Sequence, residues 1–145
     1  MPLPKPVQGL VIRYSYLWFA EHRRGQEEGT KDRPCAVILA TTEQDGRSVV
    51  SVLPITHAAP AQAGLAIEIP AETKERLGLD GESFWVVLTE ANRFFWLGPD
   101  LRPASRDDGR SVAYGLLPHG FAEEIPRKFI ILVKARRAQV VRRTE

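Results

Sequence analysis

Few side chains in this sequence can move protons or hold a metal. Histidines stand at positions 22, 57 and 119, and a single cysteine at 35. Imidazole titrates near neutrality, so each histidine is a candidate acid or base. The three lie too far apart in sequence to show metal-ligand spacing. One cysteine excludes an internal disulfide framework and a thiolate zinc cluster, and Cys35 reads as a small buried hydrophobe. There is no glycine-rich phosphate loop with Lys-Ser/Thr and no dinucleotide fingerprint. His-Glu-x-x-His and Gly-x-Ser-x-Gly are missing too. Nucleotide-triphosphate enzymes and zinc hydrolases are therefore disfavoured, and no metal or cofactor is expected. Tyr14, Tyr16 and Trp18 have two readings: aromatic platforms for bases, or core.

The elements that must position these groups follow from composition and pattern. The chain has 145 residues, 43% hydrophobic and 26% charged, which fits one globular domain with its own core. No apolar run approaches the 18 or so residues of a membrane span. The proline-rich start, 1–6, has no apolar leader segment, so a cytoplasmic protein is expected. Net charge is +2 but unevenly spread. Residues 127–145 hold seven Lys/Arg against one acid, while the first 126 hold 13 basic and 17 acidic side chains. A basic tail on a mildly acidic body can help hold a polyanion, or it can be a solvated helical face.

Gly9 opens a β-branched and aromatic run over 10–18, which predicts a first strand with Ile12, Tyr14 and Tyr16 on one face. Residues 20–33 are polar, carry two glycines and have no apolar period. That is long for a hairpin loop, and such loops are often functional. Strands are predicted over 35–40 (apolar throughout), 48–53 (ended by Pro54), 65–69, 83–88 and 93–97. A short helix is predicted over 71–77, stopped by Gly78. Residues 98–111 read as loop. Apolar spacings of three and four predict an amphipathic helix over 123–137, with Pro126 in its first turn. Val140 and Val141 form a short edge strand. The sum is a mainly β, strongly bent antiparallel sheet or barrel with a C-terminal helix: one domain over 1–145, a loop-rich insertion at about 98–120, and a basic helix and tail at about 123–145.

Three segments fall in a recognisable order: Gly9 with its strand; the polar loop ending Glu28-Gly29-Thr30-Lys31-Asp32-Arg33-Pro34 before an apolar strand; and Val49-Val50-Ser51-Val52-Leu53-Pro54-Ile55-Thr56-His57. Together they resemble the MazF/PemK (Kid-like) toxin family over residues 9–57, loosely over 65–93, and not beyond about 98. The resemblance implies an SH3-like small barrel, a homodimer, a cognate antitoxin, and metal-free cleavage of single-stranded mRNA. Arg33 matches the family's catalytic arginine, and Thr56 the threonine of its Pro-Ile-Thr motif. The sequence departs from the family at Leu10, where Asp is usual, and at His57, where Ser is common.

Metal-free cleavage of this kind uses the ribose 2′-hydroxyl as nucleophile on the adjacent phosphate. On that reading Arg33 offers a permanent cation with a planar fork for phosphate oxygens, and Thr56 a hydroxyl donor. Arginine is a poor proton shuttle, which leaves the base open. His57 is adjacent to Thr56, although period two turns neighbours to opposite faces; His22 in the polar loop is the other candidate. Arg13, His22, Arg24, Glu28 and Lys31 are the expected RNA contacts. Plainer readings stand beside these. Arg33 can pair with Glu28 or Asp32, Thr56 can be a strand-end turn residue, and the chain can be a non-catalytic barrel that binds a protein or nucleic acid.

Overall fold

The computed structural model describes residues 5–26, 29, 32–43, 45–96, 101–102 and 112–143. The chain runs β1 (Leu10–Tyr14), α1 (Phe19–Arg23), β2 (Arg33–Thr42), β3 (Ser48–Thr56), β4 (Ala66–Glu68) and α2 (Ala71–Leu77). It continues β5 (Trp85–Val87), β6 (Glu90–Trp96), β7 (Leu101–Arg102), β8 (Ala113–Leu116), α3 (His119–Lys134) and β9 (Gln139–Arg142). The strands form a sheet ordered β4-β5-β3-β2-β1-β7, with β6 also on β3, β8 on β1 and β9 on β6. Every pairing is antiparallel except β6 with β9. The fold is thus mainly β with a C-terminal helix, and its described ladders do not close into a barrel.

Both faces of this sheet are apolar, which is why β2 and β3 read as continuous hydrophobic runs. One face carries Val11, Ala36, Ile38, Leu53, Ile55 and Ala91. On it α3 lays Ala122, Ile125, Phe129 and Leu132, spaced three or four apart. The other face carries Ile12, Tyr14, Cys35, Val37, Val50, Val52 and Phe94. Tyr14 on β1 and Phe94 on β6 stack with ring centroids 4.4 Å apart, although β2 and β3 lie between their strands. In a flat sheet strands three places apart are roughly 14 Å away from each other, so this face is curled hard upon itself. A bulge in β2, where the register shifts between Val37 and Leu39, adds to the bend.

At the lip of the curl, side chains take over from ladder hydrogen bonds. Asn92, fully buried, accepts from Leu17 N–H at 2.9 Å and donates to Leu17 C=O at 2.8 Å. Arg143 Nη1 donates to Tyr14 Oη (3.0 Å), Ser15 C=O (2.7 Å) and Asn92 Oδ1 (3.1 Å). The segment that follows β1 is therefore tied to β6 and β9 without pairing to either.

Several sequence expectations are corrected. The first strand ends at Tyr14, not 18, because residues 15–18 turn across the lip; α1 then opens within the expected loop, with Glu21 Oε1 reaching back to Trp18 N–H at 3.1 Å. Pro54 does not end β3. It falls where the strand changes partner, from β6 (last pair Val52 with Asn92) to β5 (first pair Ile55 with Val86), so its missing N–H is tolerated. Helix α3 starts at His119 rather than 123, which puts Pro126 inside it. The buried Ile125 and Phe129 on either side outweigh the lost backbone bond. The expected edge strand at 140–141 is β9, with Val141 buried. Within the expected 98–120 insertion, β7 and β8 both pair with β1; residues 97–100 and 103–111 lie outside the described residues. Gly9, at φ +91°, is required for close approach: a Cβ there would meet Ala122 Cβ at 2.8 Å. None of the helices among the described residues is long and apolar enough to cross a membrane.

Candidate active site

Arg33 opens β2 directly opposite Tyr14 of β1, and paired residues share a face. Its guanidinium therefore lies on the curled face and packs over the Trp18 ring at 4.8 Å. Its Nε is buried without a hydrogen-bond partner. The expected partner Asp32 is engaged elsewhere, 3.7 Å from Arg13 and 3.6 Å from Arg102. Among the described residues Arg33 has no ion pair and donates no side-chain hydrogen bond. A half-buried cation held on an aromatic ring, with its donors uncommitted, is ready to take an anion.

Thr56 lies at the same end of the same face. Cys35 pairs with Pro54, and two residues further along the two strands, keeping the face, are Arg33 and Thr56. Its Oγ1 accepts from Ala58 N–H at 3.3 Å, so it serves as a strand-end turn residue and still has its own hydrogen to donate. On its other side Thr56 pairs with the half-buried Trp85 of β5.

Glu90, at the start of β6, supplies a group that the sequence reading missed. Its Oε1 accepts from Phe19 N–H at 2.9 Å and Tyr16 Oη at 3.1 Å, which leaves Oε2 free of any described hydrogen bond. Burial lifts the carboxyl above its usual range, and the bonds from Phe19 and Tyr16 pull it part of the way back. Tyr16 is pushed well above an ordinary phenol, first by burial and then by the Glu90 charge, so it remains a donor. The clue in the sequence was two polar residues, Glu90 and Asn92, on one face of a strand otherwise facing inward. Period two makes them either a defect or a built feature.

The remaining candidates scatter. His57 turns to the α3 side of the sheet, where its ring tilts on Phe84 at 4.2 Å and Nδ1 lies 2.9 Å from Ser83 C=O. Period two from Thr56 sends it there, so the structure does not join it to Arg33 and Thr56. Asp80 and Glu82 stand 3.9 and 3.4 Å from its ring nitrogens, all three residues exposed. Arg13 lies on the face away from Arg33, bound to Asp32. His22 on α1 is exposed; Arg24 is exposed just beyond it and pairs with Gln26 at 3.3 Å. Glu28 and Lys31 lie outside the described residues. Tyr14 and Tyr16 are core, whereas Trp18 is only half-buried and carries Arg33. Cys35 is fully buried with its thiol pKa raised by that burial, an inert core residue as expected.

The arrangement offers one unpartnered cation, one hydroxyl, one carboxyl with elevated proton affinity, and two half-buried indoles. No family model, curated protein or solved structure matches the chain.

Proposed function

We propose that the protein is a toxin-like endoribonuclease that cleaves single-stranded mRNA without a metal, in the manner of the MazF/PemK family, on an SH3-like small barrel. The observation that carries this reading is the Arg33 guanidinium, stacked on Trp18 with no ion pair or side-chain hydrogen bond among the described residues, at the end of the face that also carries Thr56 and Glu90, whose carboxyl feels the Arg33 charge. Glu90 Oε2 takes the proton of a ribose 2′-hydroxyl. The 2′-oxygen then forms its bond to phosphorus as the bond to the 5′-oxygen breaks. The departing oxygen takes a proton from solvent, giving a 2′,3′-cyclic phosphate and a free 5′-hydroxyl. Arg33 and Thr56 meet the charge that builds on the phosphate oxygens, and Trp18 and Trp85 offer surfaces for flanking bases. An elevated carboxyl pKa matches a general base better than an ordinary one, because it lies nearer the operating pH. His57 has no part in this scheme. A homodimer and a cognate antitoxin that covers the site belong to the same proposal.

The test is incubation of the purified protein with a long single-stranded RNA in excess chelator. Discrete fragments with cyclic-phosphate 3′ ends and free 5′-hydroxyls are expected. Intact RNA would sink the nuclease reading, and retention of uncleaved RNA on the protein would favour a non-catalytic binding barrel.

A further inference from the structure

A second group of uncommitted cations lies on the other face of the sheet, toward the β2–β3 turn. At the end of β9 burial alternates: Val141 and, just beyond the strand, Arg143 are buried, and Arg142 between them is exposed. Arg142 thus sits on the face opposite Asn92 and Tyr14. There it pairs in register with Arg93 of the neighbouring parallel strand β6, so two guanidinium-bearing residues stand side by side. Like charges at paired sheet positions are destabilising. Neither Arg93 nor Arg142 has an acid partner or a side-chain hydrogen bond among the described residues.

The two arginines line a cleft of about 290 Å³ together with Glu43, Val49 and Phe95. Its floor is held firmly, because Arg143 N–H donates to Arg93 C=O at 2.8 Å and the Arg143 side chain is anchored across the lip. Phe95 carries the Arg47 guanidinium 3.9 Å over its ring, and Arg47 is itself bound to Asp45 at 2.6 Å. Glu43 is the one carboxylate among the lining residues, and it forms no ion pair with either arginine.

We infer that the Arg93–Arg142 cleft is a phosphate-binding subsite for the backbone of a single-stranded nucleic acid. Two adjacent forks that bond no acceptor among the described residues are suited to the oxygens of a phosphodiester. The inference rests on the proposed RNA substrate and adds to it a contact remote from the Arg33 cluster. It gives the chain a grip on RNA that takes no part in bond breaking.

The experiment measures binding of a fluorescent 12-nucleotide single-stranded RNA in chelator across a salt series. Wild type is compared with Arg93→Gln/Arg142→Gln and with the charge-preserving Arg93→Lys/Arg142→Lys. Each phosphate contact on a single strand adds about 0.7 to the slope of log affinity against log salt, so losing two lowers it by about 1.4. That loss in the Gln variant, with the slope retained in the Lys variant, is the expected result. Equal slopes for wild type and a folded Gln variant overturn the subsite even if the RNA is cleaved normally. A lowered slope with no cleavage by wild type keeps the subsite and removes the nuclease reading. No RNA binding by wild type removes both. Displacement of RNA by inorganic phosphate, beyond the effect of chloride at equal ionic strength, assigns the cleft to a free phosphate and overturns the backbone assignment.

Discussion

Arg33 and Arg143 both lie against the aromatic residues that follow one another from Tyr14 to Trp18. Each guanidinium lies over a ring, Arg33 on Trp18 at 4.8 Å and Arg143 on Tyr14 at 5.3 Å. Both are near enough to Cys35 to pull its thiol pKa down against burial. They differ in what their donors meet. Both bury Nε without an acceptor; Arg143 Nη1 nevertheless reaches a phenol, a backbone carbonyl and an amide oxygen, whereas Arg33 donates no side-chain hydrogen bond among the described residues. Here Arg143 holds residues 14–17 against β6, and the next residue is the indole on which Arg33 rests. One cation is engaged by the fold through Nη1, and the other makes no side-chain hydrogen bond among the described residues.

The contrast is broken most sharply by exchanging the readouts. Arg33→Ala is expected to lower RNA cleavage by about 10²–10³-fold, the usual effect of losing one charge-stabilising donor, while its thermal midpoint stays close to wild type. An active, folded Arg33→Ala protein would end the assignment. Arg143→Met is expected to do the reverse. It takes a donor from buried oxygens of Tyr14, Ser15 and Asn92, of which Asn92 Oδ1 keeps the bond from Leu17 N–H, and should cost about 3 kcal/mol of stability. In a chain of this size that lowers Tm by roughly 6–12 °C, read by calorimetry. Unchanged Tm in Arg143→Met would mean that the lip is held by something else.

Within the lip itself, Asn92→Leu is a smaller perturbation. Leucine fills the space but leaves Leu17 N–H and C=O unpaired in the interior, at about 2 kcal/mol. Because Leu17 precedes Trp18, cleavage should also fall, with the loss in kcal/mol of activation below that of Arg33→Ala. Loss of stability with full activity would show that the lip does not position Trp18.

The framework was legible where one pattern had one solution. The period-two alternation of Ile12, Tyr14 and Tyr16, the doubly apolar β2, and helix α2 closed by Gly78 all have local causes. So does the three-and-four spacing of Ile125, Phe129 and Leu132, although its start was misplaced: Ala122 belongs to the same buried stripe, and Pro126 looked like a first-turn residue. The site was half legible. Arg33 and Thr56 carry motifs, but Glu90 and Asn92 gain their meaning from partners about 75 positions away, Tyr16 and Leu17, which only the curl of the sheet brings together. The same is true of Asp32. From sequence it is a natural partner for Arg33 next door, yet strand alternation sends the two to opposite faces and gives Asp32 to Arg13 and Arg102.

Glu90→Gln sharpens the comparison by separating charge from hydrogen bonding. Glutamine keeps an oxygen for Phe19 N–H and Tyr16 Oη but cannot take a proton. In the wild type, burial raises the folded-state pKa of Glu90 above its unfolded value. The folded chain therefore binds the proton more tightly, and the stability this gives is present at low pH and lost as pH rises past the ordinary carboxylate value of about 4.3 and through the raised one. Glu90→Gln should accordingly match wild type near pH 4 and be the more stable of the two at pH 7, by calorimetry at both values. In the cleavage assay wild-type rate should climb through that same raised pKa, and the variant should lose this limb together with most of its rate. A variant more stable at pH 7 yet equally active would keep the electrostatics and remove Glu90 from the chemistry.

The smallest effect is expected where the charges are already matched. Asp32 faces Arg13 and Arg102 at 3.7 and 3.6 Å, with all three side chains about a third exposed (28–35%). Partly solvated pairs of this length contribute about 0.2–1 kcal/mol each, and salt screens them further. Asp32→Asn loses both pairs and should therefore lower stability by about 0.4–2 kcal/mol at low salt, with the difference shrinking at 1 M salt. Its effect on cleavage tests the separation of the two faces. If Asp32 only staples β1 to β7 across from the Arg33 side, catalysis is untouched. A rate that rises in Asp32→Asn would instead mean that this carboxylate restrains Arg33 through the shared backbone of β2, and that the uncommitted state of the neighbouring arginine is itself set by its bound neighbour.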